Sequence, residues 1–103
     1  MGPAGRRPRR GDKSSTLGYF ATLAAQHGMH WISLGLLPGW DSTRGSEDDT
    51  NRLGFFLGAN AQSPTDAGPD AVHRSDIATA EHLGARVARQ AAIFRSGRAT
   101  LAA

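Results

Sequence analysis

Four histidines are the residues of this 103-residue chain whose type best suits metal or acid–base chemistry. They are His27, His30, His73 and His82, and their spacing matches no zinc-binding pattern. Glu81 precedes His82, but no second histidine lies at the interval found in metalloprotease helices. The sequence therefore predicts no metal site.

Covalent catalysis has no support in the residue types and their order. The chain contains no cysteine, so it has neither a thiolate nucleophile nor a disulfide framework. Serine, histidine and aspartate all occur, but no Gly-x-Ser-x-Gly elbow is present to expose a serine nucleophile. A hydrolase is not predicted.

Positive charge is concentrated at the N-terminus, at Arg6, Arg7, Arg9, Arg10 and Lys13. Without the first thirteen residues the formal net charge of the chain falls from +3 to −1. Clustered guanidinium groups can neutralise phosphates and release counterions, which is the chemistry of nucleic-acid binding. No aromatic side chains are interleaved with the cluster, so a solvated, disordered basic tail over residues 1–10 is the favoured interpretation.

A helix followed by a buried strand is expected to position the residues near the start of the chain. Ser14 and Ser15 are suited to cap a helix over residues 15–27, whose apolar residues recur every three or four positions. Gly28 suits the left-handed residue that ends such a helix. Residues 29–34 form an apolar run typical of a strand covered on both faces of a parallel sheet.

The rest of the chain is expected to be a long loop followed by a second helix. Residues 35–74 are rich in loop-forming residues and include an aromatic island, LGFFL, at 53–57. Ser75 and Asp76 are suited to start a helix that ends near Ser96 and Gly97. The predicted core face of this helix comprises Ile77, Ala80, Gly84, Val87, Ala91 and Phe94.

These segments resemble, in order and spacing, the C-terminal half of the flavodoxin-like NAD(P)H:quinone oxidoreductases, the WrbA-like family. The resemblance rests on GDKSSTL at 11–17, QHGM at 26–29, LPG, NRLG at 51–54, and SDIATAEHLGARVA at 75–88. It implies an α/β fold: the C-terminal portion of a flavodoxin-like doubly wound parallel sheet, incomplete, with a long irregular central segment. Because that family opens with a phosphate loop and further βα units, the chain is expected to be a half-protein.

The same resemblance implies FMN as the cofactor. Gly11, Asp12 and Lys13 match the end of a family loop whose backbone N–H groups approach the isoalloxazine edge, and His27 matches a histidine that lies against the flavin. The structural alternatives are a polar turn before a helix for Gly11–Lys13 and an interaction with the helix dipole for His27. Since the flavin does the redox chemistry, no catalytic residue is expected in the protein.

NAD(P)H as cosubstrate and a quinone or similar small molecule as acceptor also follow from the resemblance. Arg52 and Gly54 match a family loop on the substrate side of the flavin, where an arginine could bind a nucleotide phosphate through paired hydrogen bonds. The alternative for Arg52 is a solvated ion pair with Asp48 or Asp49.

Three functional hypotheses result. The first is an FMN-dependent NAD(P)H:quinone oxidoreductase, truncated and weakly active or inactive alone. The second is a small basic binding module, for nucleic acid or for a complementing half-domain, and the third is a truncated product without activity.

The expected organisation is a basic tail at 1–10, a partial flavodoxin-like domain at 11–96 and a C-terminal tail at 97–103. A homo-oligomer or a complementing chain would complete the domain. No apolar run approaches the length of a membrane span and no secretory signal is visible, so a cytoplasmic location is expected.

Overall fold

Two helices and an irregular connection make up the fold. The computed structural model describes residues 11–102, with α1 at Lys13–Gln26, a short 3₁₀ turn at Pro69–Ala71 and α2 at Arg74–Ala102. Neither α1 nor α2 combines the length and apolarity needed to cross a membrane. The basic tail predicted over residues 1–10 lies outside the described residues.

The predicted α/β fold is wrong, because no β-strand forms anywhere in residues 11–102. Residues 29–34, expected to be a strand of a flavodoxin-like parallel sheet, have no regular secondary structure. Their link to a distant part of the backbone is a hydrogen bond from Leu34 N–H to Phe56 O, at 3.0 Å. A strand needs a neighbour that bonds its N–H and C=O groups in a ladder, and this single bond does not supply one.

Helix α1 begins two residues earlier and ends one residue earlier than expected. Asp12 is the N-cap residue and Ser14 and Ser15 lie inside the first turn, so the prediction that these serines cap the helix is wrong. At the other end Gly28 has a φ of 67°, and the N–H groups of Gly28 and Met29 donate to Ala25 O and Ala24 O. These two bonds form a Schellman motif, which confirms the prediction for Gly28.

Helix α2 is longer than the sequence suggested. It continues through Ser96 and Gly97 to Ala102, so the predicted end near Gly97 is wrong. A glycine inside a helix costs only about 1 kcal/mol relative to alanine, and the residues that follow it include good helix formers such as Arg98 and Leu101. One glycine is therefore not enough to stop the helix.

The face of α2 that packs against the rest of the chain is polar rather than apolar. The buried residues of α2 are Ser75, Asp76 and Thr79. The predicted core residues Ile77, Val87 and Phe94 remain 46%, 42% and 43% exposed. The polar face is buried because its side chains form hydrogen bonds with the loop over residues 47–62, as described below.

The apolar core is correspondingly small. Among the described residues the buried apolar side chains are Leu17, Ala24 and Leu34. Polar contacts therefore carry much of the tertiary structure.

Candidate functional site

Asn51 organises the loop that lies against α2. It is buried and has a φ of 53°, in the left-handed region that asparagine tolerates better than most residues. Its Nδ2 donates to Leu36 O at 3.1 Å and Phe55 O at 2.9 Å, and its backbone N–H donates to Thr79 Oγ1 at 2.8 Å. The Asn51 side chain thus holds the loop together, and the Thr79 hydroxyl fixes the loop on α2.

A buried ion pair continues this contact. Arg52 donates from Nε to Asp76 Oδ1 at 2.8 Å and from Nη2 to Asp76 Oδ2 at 2.7 Å, and the two side chains are 8% and 2% exposed. The hydrogen bonds to Asp76 raise the pKa of Arg52, against the opposing effect of its burial. The positive charge of Arg52 is therefore directed into the protein.

Gln62 connects this ion pair to the start of α1. Its backbone N–H donates to Asp76 Oδ2 at 3.0 Å, and its backbone oxygen accepts from Arg52 Nη2 at 3.2 Å. Its side-chain oxygen accepts from Lys13 Nζ at 2.8 Å. The structure therefore brings together Lys13 and Arg52, two predicted site residues that are far apart in sequence.

The first turn of α1 lies at an exposed part of the described chain. Gly11 and Asp12 are exposed, and Asp12, the N-cap residue, makes no side-chain hydrogen bond to this turn. No atom lies within 4 Å of the position that a Cβ on Gly11 would occupy. Backbone N–H groups at a helix N-terminus, together with the half-buried Lys13, can bind hydrogen-bond acceptors or an anionic group.

His27 lies at the opposite end of α1. The helix between it and Lys13 rises about 21 Å. His27 is an exposed C-cap residue whose backbone N–H donates to Leu23 O and Ala24 O. His27 and Gly11–Lys13 therefore cannot contact the same ring of a bound ligand.

Gly54 and Arg52 belong to the Asn51 loop. Gly54 has a φ of 75°, its N–H donates to Asn51 O at 3.1 Å, and a Cβ there would lie 3.7 Å from Pro38. Asp48, an alternative partner considered for Arg52, instead pairs with Arg74 at 2.9 Å. The loop expected on the substrate side is thus a tight turn that holds Arg52 against α2.

A serine, a histidine and an aspartate do meet at the start of α2. His73 Nδ1 lies 2.7 Å from Ser75 Oγ, and His73 Nε2 lies 3.7 Å from Asp48 Oδ1. Ser75 is only 2% exposed and its hydroxyl donates to Glu47 O at 2.7 Å. Since the Ser75 N–H also donates to His73 Nδ1, the cluster caps the helix and holds the loop.

Sequence reasoning missed Asn51, Gln62, Asp76 and Thr79 as residues that build this region. A turn-rich stretch that ends in asparagine is a signal for a left-handed residue, and it could have singled out Asn51. Asp76 was expected only to interact with the helix dipole, because its partner Arg52 lies 24 residues away in sequence. No local pattern reveals such a pair.

Metal chemistry has no further support from the structure. Within residues 11–102, no group of three or more histidine, cysteine, aspartate or glutamate side chains could hold a metal ion.

Comparison with known proteins relates the chain to the flavodoxins. It is 46% identical over 79 residues to Flavodoxin FldP of Pseudomonas aeruginosa (strain UCBPP-PA14). The match covers 77% of this chain and 42% of that protein, so the chain spans less than half the length of the relative. No protein-family profile and no solved structure matches the chain. The similarity supports a flavodoxin-like relationship.

Proposed function

We propose that the chain forms part of a flavodoxin-like, FMN-dependent oxidoreductase. This enzyme would transfer reducing equivalents from NAD(P)H to a quinone or similar small acceptor. The observation that carries this proposal is the 46% identity with a flavodoxin over 79 residues. The order of the motifs from Gly11 to Ala88 supports the finer assignment to the WrbA-like quinone oxidoreductases.

The start of α1 is the proposed flavin contact. FMN, when bound, supplies the hydride chemistry. The exposed Gly11 and Asp12 lie at the N-terminus of α1, and they fit the polar edge of a flat ring because backbone N–H groups at a helix N-terminus are hydrogen-bond donors. The Lys13 ammonium group, held by Gln62 at 2.8 Å, adds a positive charge beside that edge.

Arg52 is proposed as a positioning residue rather than as a ligand for a nucleotide phosphate. Its guanidinium group is paired with Asp76 and is 8% exposed, so it has little surface to offer to an anion. Through Gln62 it fixes the acceptor that holds Lys13. Its contribution to flavin binding is therefore indirect.

The remaining contacts are proposed to come from a complementing polypeptide that corresponds to the part of the relative outside the match. The phosphate of FMN needs an anion site built from backbone N–H groups. The chain by itself should therefore bind FMN weakly, and a complementing segment should tighten the binding.

Flavin fluorescence titrations test this proposal. FMN is added to the 103-residue chain, to the unmatched part of Flavodoxin FldP, and to their mixture, and oxidation of NAD(P)H by a quinone is followed in the same samples. We expect tight binding and quinone reduction only in the mixture. Absence of FMN binding in the mixture, or tight binding by the 103-residue chain alone, would contradict the proposal.

A pair of variants locates the flavin. Lys13→Ala in the mixture should weaken FMN binding by about 1–2 kcal/mol, the loss expected for a hydrogen bond to a charged group. His82→Ala, on the exposed surface of α2, is the matched control and should bind FMN like the wild type. Equal affinities for both variants would remove Lys13 from the flavin site.

A further inference from the structure

Helix α2 has an apolar stripe that the described chain leaves partly exposed. Its members recur at alternating intervals of three and four residues, the spacing that brings two helices together along a seam. The three large members, Ile77, Val87 and Phe94, are 46%, 42% and 43% exposed. The complete stripe comprises Ile77, Ala80, Gly84, Val87, Ala91 and Phe94.

The charges of α2 are divided between its two halves. In the first part Asp76 is buried in its ion pair with Arg52, Arg74 pairs with Asp48, and Glu81 is exposed; residues 82–102 contain four arginines and no acidic residue. Two such helices side by side in parallel would place arginine beside arginine. An antiparallel pair places the basic half of each helix beside Glu81 of the other.

A cleft beside the stripe shows what this surface can accept. It has a volume of about 530 Å³, a floor of Ala88, Ala91 and Ala92, and a wall in which His30 stacks on Phe94 with ring centroids 4.8 Å apart. The remaining lining residues are Arg95 and Arg98, and no acidic side chain lines the cleft. Its chemistry suits an apolar side chain accompanied by a carboxylate.

We propose that a second copy of this chain docks on α2 as an antiparallel, two-fold symmetric helix pair. In the register that aligns the two stripes, Ile77 of one copy lies against Phe94 of the other, at the cleft. Glu81 then lies beside Arg95 of the other copy. The second copy thus supplies both the apolar side chain and the carboxylate that suit the cleft.

The centre of this register pairs residues of complementary size. Gly84 lies opposite Val87 of the other copy, and Ala80 lies opposite Ala91. In the single chain no atom lies within 4 Å of the position that a Cβ on Gly84 would occupy. The surface around Gly84 is therefore free to receive Val87, and because the symmetry is two-fold every contact occurs twice.

Cysteine cross-linking tests the register directly, because the chain has no cysteine of its own. Two-fold antiparallel packing brings position 88 of one copy next to position 88 of the other, whereas position 80 lies far from its own symmetry mate. We expect Ala88→Cys to form a disulfide-linked dimer on mild oxidation and Ala80→Cys to remain monomeric in the same gel. Cross-linking of Ala80→Cys, or of neither variant, would overturn the proposed pair.

Light scattering after size exclusion tests the surface. The wild-type 103-residue chain should elute with twice its mass of 10.9 kDa. Gly84→Leu should raise the dissociation constant of the dimer at least about tenfold, because the new side chain overpacks the site of Val87. A monomeric wild type, a larger assembly, or a dimer unaffected by Gly84→Leu would overturn the proposal.

Charge reversal distinguishes this specific pairing from nonspecific association through the apolar surface of α2. Glu81→Arg and Arg95→Glu should each weaken the dimer, and the double variant should restore it. Arg89→Glu, which removes the same charge from a position off the stripe, is the matched control and should leave the dissociation constant unchanged. Failure of the double variant to restore the dimer, or an equal effect of Arg89→Glu, would show that an unrelated or merely acidic partner fits this surface instead.

Discussion

Arg52 and Asp76 are joined by two hydrogen bonds of 2.8 and 2.7 Å, with both side chains almost completely removed from solvent. A guanidinium and a carboxylate that share two bonds hold a fixed relative orientation. Because Asp76 lies in the first turn of α2 and Arg52 in the Asn51 loop, this pair fixes the loop on the helix. The apolar core is small, so the pair should contribute strongly to the stability of the fold.

Arg52→Ala should lower the free energy of unfolding by about 3–5 kcal/mol, because it leaves the Asp76 carboxylate buried without its partner. Urea denaturation followed by circular dichroism measures the loss. Arg74→Ala is the control, since it breaks an ion pair with Asp48 whose side chains are 78% and 50% exposed. The control should lose less than about 1 kcal/mol, and equal losses would contradict a special role for the buried pair.

The stabilisation from Arg52 should be constant across neutral and moderately alkaline pH. Its pKa is raised in the folded state, so the stabilisation is complete below the unfolded pKa and is lost only as the pH rises through the folded pKa. The difference in unfolding free energy between wild type and Arg52→Ala should therefore not change between about pH 7 and pH 10. A decline over that interval would contradict the raised pKa of Arg52 in the folded protein.

Two glycines of α1 should respond to alanine with opposite signs. Gly28 has a φ of 67° and Gly18 lies inside the helix, and neither has an atom within 4 Å of its missing Cβ. Gly28→Ala should destabilise the protein by about 1–2 kcal/mol because of backbone strain. Gly18→Ala should stabilise it by up to about 1 kcal/mol because alanine favours the helix. Thermal melts of both variants check this, and shifts in the same direction would rule out the conformational explanation.

Asn51 should tolerate glycine better than aspartate. Asn51→Asp replaces the Nδ2 donor by an oxygen that faces Leu36 O and Phe55 O, and should cost about 3 kcal/mol or more. Asn51→Gly keeps the left-handed backbone and loses only the side-chain bonds, so it should cost about 1–2 kcal/mol. Chemical denaturation gives both values, and the reverse order would mean that losing the side chain, which also accepts from Phe55 N–H, costs more than placing a carboxylate oxygen against Leu36 O and Phe55 O.

Local signals in the sequence predicted local structure. The approximate extent of α1, the left-handed Gly28 and the start of α2 within one residue all follow from patterns within one or two helical turns. The prediction of a strand over residues 29–34 was wrong, because an apolar run forms a strand only when a neighbouring segment makes a ladder of backbone hydrogen bonds with it. Its environment in this structure provides a single backbone–backbone hydrogen bond to a distant segment, from Leu34 N–H to Phe56 O.

The candidate site was predictable only in part, for the same reason. Lys13 and Arg52 could be selected from motifs, but Gln62, which joins them, lies 49 residues from Lys13 and belongs to no motif. The prediction of an apolar packed face on α2 was wrong, because apolar character alone does not decide which side chains are buried. Ser75 and Thr79 are buried instead, since each has a hydroxyl that satisfies a partner across the contact.

The two ends of α2 should melt differently. Its first turns are anchored to the loop, whereas residues 91–102 are exposed throughout and depend mainly on helix propensity and on the stacking of His30 against Phe94. In a dilute, monomeric sample the helical signal of this last part should therefore decline gradually with temperature, as a sloping baseline before the main transition. At concentrations where the second copy is bound, the same residues should join the cooperative transition, and its midpoint should rise with protein concentration.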